Sequence, residues 1–241
     1  MKIVPNYLYT VLAYTVLHTL TAISVLLSLL FHALRMDKAM NAVIHLWARG
    51  SFLIIGKRLH AEGIENFEKG KKYILMANHT SMFDIMGIMS VFPGVAWFGK
   101  EYLVKIPVFG TLLRGINYVP MRTTDLRNTK EMVGKLISHT HDHTVAIFPE
   151  GTRTITGELS KFRKGFLHVL KASERDILPV SLIGFFEFKP KNRFYFRYRV
   201  RLTVKVHKPL LYSELKELTD SEIINLVQSR IESVLPTYKT A

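Results

Sequence analysis

The sequence predicts an α/β domain carried behind two N-terminal apolar helices, on three observations. Between Ile3 and Leu34 there is no Asp, Glu, Lys or Arg, and so long an uncharged run reads as a membrane-associating helix. From Arg58 onward, short apolar segments of strand length alternate with helical patterns, and several end in a cluster of polar residues. From Arg193 to His207, apolar and cationic residues alternate with period two, the mark of a half-buried strand.

Size and composition bound the rest. A chain of 241 residues makes one large domain, or one domain with a small appendage. It has no cysteine, which excludes disulfides, thiolate metal sites and a cysteine nucleophile. The formal charge of +14 calls for an acidic partner: nucleic acid, an anionic membrane surface, an acidic carrier protein or a phosphorylated substrate.

Tyr7–Leu34 reads as the first helix; at about 30 residues it would be ~45 Å long, more than the ~30 Å hydrocarbon core requires. Its apolar region is longer than a cleaved signal needs, and no small-x-small site follows before Arg35. A second stretch, Ala39–Ile55, is shorter and carries Trp47 and Arg49, so it reads as an interfacial or partly inserted helix. Either the first helix spans the membrane with the second on its surface, or the two form a hairpin in one leaflet. Basic residues crowd the C-terminal side of the first helix, which places the body of the protein in the cytoplasm. Residues 1–57 are thus expected to anchor, and 58–241 to form the α/β domain.

Leu59–Ala61 reads as a short strand. Tyr73–Ala77 is a buried strand running into Asn78-His79-Thr80-Ser81-Met82-Phe83-Asp84, after which a helix Met82–Val91 is expected, capped by Ser81. A carboxylate bound to one imidazole nitrogen leaves the other free to take a proton, so His79 and Asp84 are candidates for a general base and its orienting partner. A helix cannot bring positions 79 and 84 to one face, because five residues turn it by about 500°. The pair can meet only if His79 lies in the loop ahead of the helix, at the carboxyl end of a strand, where open α/β sheets place ligands.

Val95–Phe98 is the next strand, with Lys100 just after it, followed by Lys105 and, near Val119, Arg122. A helix is expected over Asp125–Ser138. His139, His141 and His143 alternate in a polar loop without companion ligands at metal-site spacing, and read as solvated. Strand Val145–Phe148 runs into Pro149-Glu150-Gly151-Thr152-Arg153, a turn whose small residue, hydroxyl and guanidinium suit a phosphate. Helix Phe166–Ala172, strand Ile177–Leu182 and a final amphipathic helix Asp220–Val234 complete the domain. The aromatic and cationic residues at 193–207 sit in no recognised nucleic-acid module, so anionic lipid or an acidic carrier is the expected partner.

In order, these blocks resemble the lysophosphatidic acid acyltransferases, which acylate 1-acylglycerol 3-phosphate. Asn78–Asp84 is similar to that family's His-x4-Asp block, Gly99-Lys100 through Arg122 to its second, Phe148–Arg153 to its third and Ile177–Val180 to its fourth. The resemblance covers about residues 58–210. It implies a mixed, largely parallel β-sheet flanked by helices, an N-terminal two-helix membrane element, and no metal or prosthetic group. By the same carry-over His79 is the general base and Asp84 its orienting carboxylate. Lys100 and Arg153 bind the acceptor's phosphate, and Glu150, Gly151 and Thr152 shape that site. Lys105 and Arg122 are the weaker candidates. The co-substrate would be an acyl thioester of acyl carrier protein or coenzyme A, the acceptor lysophosphatidic acid, and the location the cytoplasmic face of the cell membrane. Other lysolipids or glycerol 3-phosphate as acceptor, and a non-catalytic lipid-binding protein, are the alternatives.

Overall fold

In the computed structural model, which describes residues 4–106, 110, 113, 118–121, 134 and 143–238, strand β2 (Ile74–Ala77) shows how the core is built. Its side chains alternate between two apolar clusters, one on each face of the sheet. Leu75 and Ala77, with Tyr73 just ahead of the strand, join one cluster, and Ile74 and Met76 the other. The first cluster is roofed by α1 (Val4–Ala33), α2 (Asp37–Ile54) and α3 (Asp84–Val91), the second by α4 (Gly165–Ser173) and α5 (Asp220–Glu232).

The remaining strands are β1 (Leu59–Glu62), β3 (Ala96–Lys100), β4 (Tyr118–Met121), β5 (Val145–Ile147), β6 (Ile177–Ile183) and β7 (Leu202–Val206). They lie in the order β1-β7-β6-β2-β5-β3-β4. Strands β6, β2, β5, β3 and β4 are mutually parallel; β7 pairs antiparallel to β6 and parallel to β1, so the sheet is mixed and largely parallel, as expected. The carboxyl ends of β2, β5 and β3 therefore share one edge.

Helices α1 and α2 are joined through Arg35, at φ 56°, and pack against each other; α2 in turn packs on α3. Thr10, Ala13 and Leu17 are buried, whereas Leu8, Val11, Leu12, Ile23, Leu26 and Leu30 lie exposed along α1. The Trp47 indole donates to Thr21 Oγ1 at 3.0 Å, and the Tyr9 hydroxyl to the Ile55 carbonyl. Among the described residues one helix, over Asn6–Ala33, is long and apolar enough to cross a membrane.

Two expectations are corrected. The segment 193–207 is a strand only over Leu202–Val206. Upstream of it, side chains rather than a neighbouring strand satisfy the backbone. Phe196 N donates to Thr10 Oγ1 at 2.7 Å, Arg193 Nε donates to the Tyr195 carbonyl at 3.0 Å, and the Lys57 ammonium donates to the carbonyls of Tyr198 and Val200. Ser81 caps no helix: α3 begins at Asp84 after Phe83, without a side-chain cap. Ser81 instead bridges to Pro190, and its buried hydroxyl donates to the Lys189 carbonyl at 2.7 Å. The expected helix Asp125–Ser138, apart from residue 134, lies outside the described residues, as do Arg122, His139 and His141.

Candidate active site

The loop after β2 is held from both sides before any chemistry is considered. Asn78 completes the ladder where the strand ends: its Oδ1 accepts from Leu182 N at 2.7 Å and its Nδ2 donates to Leu182 O at 3.1 Å. His79 N donates to Glu150 Oε1 at 2.6 Å, and His79 O accepts from Thr154 N at 2.9 Å. The backbone of His79 is thereby clamped to the loop after β5, which the parallel β2–β5 pairing brings alongside.

Asp84, at the start of α3, is wholly buried. Its Oδ2 lies 2.9 Å from His79 Nδ1 and accepts from the amides of Thr80 (2.6 Å) and Ser81 (2.8 Å). Since an ionised carboxylate only accepts, Nδ1 carries the proton and Nε2 is left as the basic nitrogen. Burial pushes the Asp84 carboxyl above the usual range, while the donors from His79, Ser81 and Thr80 favour its charged form. The imidazole also lies flat on Phe148, with ring centroids 4.0 Å apart and planes 12° from parallel. Phe148 is in turn 5.7 Å from Trp97 on β3. His79 is thus fixed by a carboxylate at its edge, a ring on its face and two backbone bonds.

Glu150 is buried, and its two oxygens accept from His79 N and, at 2.9 Å, from Ser160 N. Burial raises its pKa and those amides counter the shift. Gly151, at φ +72°, turns the chain under Arg163; a Cβ there would stand 3.0 Å from Arg163 Nε, in a backbone region costly to L side chains. Gly151 and Thr152 are exposed, and Arg153 is half-buried next to the Thr154 amide that holds His79.

Lys100 is the last residue of β3, on the same sheet edge, rather than just past the strand. Lys105 lies on an exposed 3-10 turn, 4.0 Å from the Glu101 carboxylate. His143 Nδ1 is 3.1 Å from the Gly94 carbonyl, and among the described residues no cluster of His, Cys, Asp or Glu has the makings of a metal site.

Three residues that touch the loop His79–Asp84 have no site role in the sequence pattern. Phe148 ends a strand and heads the third block, but nothing in its spacing marks it as the floor of an imidazole. Thr154 follows the arginine of that turn, and nothing local marks its amide as the donor to His79 O. Lys189, buried, donates to the Pro190 carbonyl at 3.1 Å, while its own carbonyl accepts from Ser81. Its ammonium pKa is lowered by burial, then by the nearby Arg193 and Arg153. A lysine a few residues past the β6 segment was its only signal.

Comparison with known proteins follows the same outline. The model of the acyltransferase family matches residues 58–183. A 1-acyl-sn-glycerol-3-phosphate acyltransferase from Cocos nucifera is 28% identical over 204 residues, covering 81% of this chain and 64% of that protein. One of the same name from Borreliella burgdorferi is 27% identical over 199 residues, covering 81% and 76%. The crystal structure of the 1-acyl-sn-glycerophosphate (LPA) acyltransferase PlsC from Thermotoga maritima superposes with a TM-score of 0.79 at 26% identity, covering 97% of this chain and 95% of that one. The match spans just under two thirds of the coconut protein and, at 65%, of the mouse relative.

Proposed function

The chain belongs to the acyltransferase family, and from that premise we propose that it transfers a fatty acyl group from a thioester to the sn-2 hydroxyl of lysophosphatidic acid, giving phosphatidic acid. The observation that carries this reading is the His79 imidazole, held at Nδ1 by buried Asp84 and flat on Phe148, with Nε2 as its basic nitrogen. The proteins it resembles from Cocos nucifera, Borreliella burgdorferi and Thermotoga maritima carry this activity in their names.

In the proposed reaction His79 Nε2 takes the proton of the acceptor hydroxyl as its oxygen attacks the thioester carbonyl. Asp84 holds the imidazolium that forms. The tetrahedral oxyanion is stabilised by backbone N–H groups or a lysine at the strand ends. The carbon–sulfur bond then breaks, and the thiolate leaves with the proton from the imidazolium. Lys100 and Arg153 hold the acceptor's phosphate, with Gly151 and Thr152 in the turn beside them, and Glu150 braces the loop. No metal or prosthetic group takes part. The donor is acyl carrier protein or coenzyme A thioester.

Direct transfer needs no protein nucleophile. In support, the Ser81 hydroxyl is buried and already donates to Lys189 O, and Thr80 is buried facing Asp84. Residues 1–57 seat the enzyme in the bilayer, with the body on the cytoplasmic face of the cell membrane. The test offers purified protein a panel of lysolipid acceptors and glycerol 3-phosphate with each donor, following released thiol. Lysophosphatidic acid should give the fastest release, and no release with any pairing would sink the enzymatic reading. Labelled donor without acceptor should leave no acyl group on the protein; a stable adduct would replace direct transfer with an acyl-enzyme.

A further inference from the structure

Beside α1 lies a surface that the reaction does not use. Glu187 is the last acidic residue before Glu214, and the segment between carries Lys191, Arg197, Arg199 and Arg201, all exposed. Its aromatic rings are not all withdrawn into the core: Phe194 is 56% and Tyr198 38% exposed. The backbone here is fixed rather than loose. Phe196 N donates to Thr10 Oγ1, Arg197 N donates to Phe188 O at 3.0 Å, and Lys57 donates to the Tyr198 and Val200 carbonyls.

The patch is continuous with the apolar outer row of α1. Tyr7 stacks on Phe194 with centroids 6.3 Å apart, and Tyr14 lies 5.7 Å from the same ring. Leu8, Val11 and Leu12 extend that face along the helix, all exposed. At the other end, the Tyr14 hydroxyl reaches Met82 Sδ at 3.8 Å, and Met82 is a half-exposed member of the loop that carries His79 and Asp84. One surface thus runs from arginines, through exposed aromatics and an apolar helix face, to the mouth of the candidate active site.

From this arrangement we propose that residues 191–201 form a docking surface for anionic phospholipid headgroups, which seats the His79 loop against the bilayer. Guanidinium groups pair with lipid phosphates and the attached rings lie at headgroup level, the depth where aromatics collect. An acidic carrier protein would answer the charge as well. It would not answer the exposed Phe194 and Tyr7 or their continuity with the apolar row of α1, so the lipid surface is the occupant. Arg201 has a carboxylate 3.9 Å away, Glu62, so of the three exposed guanidinium groups Arg197 and Arg199 are the pair to test.

The inference rests on the reading that α1 lies in the bilayer, and the test separates the two. Full-length protein is floated with liposomes of phosphatidylcholine alone and of phosphatidylcholine doped with phosphatidylglycerol, at low and high salt. Binding to the neutral liposomes reports α1; the gain on doping reports the patch. With about fivefold per basic residue at such a surface, R197Q/R199Q should cut the preference for doped liposomes by roughly thirtyfold. Binding to neutral liposomes and turnover in neutral detergent micelles should be unchanged, and R197K/R199K should keep the preference. A wild type without preference for the doped liposomes overturns the proposal, as does a double Gln variant that keeps it. So does a variant whose only loss is affinity for an immobilised acidic carrier protein, which would assign the patch to the carrier.

Discussion

His79 and Asp84 meet at 2.9 Å although a helix would point them to different faces, because the loop between them turns around the carboxylate. The amides of Thr80 and Ser81 fold inward onto the same Oδ2 that receives Nδ1. One buried oxygen therefore organises both the loop and the imidazole. His79→Ala should lower turnover by a factor on the order of 10²–10⁴ while leaving membrane attachment intact. Asp84→Asn should lose a similar factor with little change in acceptor KM, since it removes the charge that stabilises the imidazolium. Steady-state kinetics with flotation of each variant checks both; unchanged turnover in His79→Ala would remove it as the base.

Phe148 keeps the imidazole in its plane, so its loss should act on turnover rather than on binding. An aromatic pair is worth about 0.5–1.5 kcal/mol beyond its buried area. Phe148→Ala is therefore expected to lower kcat by a factor of roughly 2–10, with Phe148→Tyr restoring most of it. A change confined to acceptor KM would contradict this.

Glu150 and Arg153 are three residues apart in the turn after β5, and they should fail in different ways. Both Glu150 oxygens accept from amides, and Glu150→Gln puts an NH2 against one of them, at a cost of about 1–3 kcal/mol. Its urea midpoint and its kcat should fall, with acceptor KM nearly constant. Arg153→Ala should instead raise the KM for lysophosphatidic acid at least tenfold, taking a charge-assisted bond as about 1.5–3 kcal/mol. Equal KM effects in the two variants would merge the roles.

His207 supplies the pH dependence of stability. Its Nε2 lies 2.8 Å from Ser181 Oγ, which donates to the Ile231 carbonyl at 2.7 Å, so the neutral imidazole donates to Ser181 and ties β7 and β6 to α5. Burial lowers its pKa to about 4, with Lys205 and Arg230 adding to the shift. The unfolded chain binds this proton near pH ~6.5, before the folded one does. Stability from the neutral form is thus complete above that value and is lost as pH falls toward about 4. Urea midpoints should decline across that window, and the decline should flatten in His207→Gln, which keeps a donor but no titration. An equal slope in the variant would assign the acid sensitivity elsewhere.

Local rules carried the sequence reading a long way. Short continuous apolar runs located β2, β5 and β6, and the span of an uncharged run located α1. The limits of such rules show at 193–201, where a regular alternation is not a strand because Thr10 and Lys57 supply backbone partners from elsewhere. They show again at Ser81, a residue fit to cap a helix that is drawn to the Lys189 carbonyl instead.

By itself, the sequence determined that an uncharged apolar helix precedes an α/β body, and that a histidine and an aspartate lie in a strand-to-helix loop where they can meet. Those properties depend on neighbours within a few residues. Only the tertiary structure decided that Phe148 lies under the imidazole, that Glu150 grips its backbone, and that Lys189 is buried beside the loop. Each of those contacts joins segments about 70 or more residues apart. Strand order alone makes them neighbours, and no local pattern encodes strand order.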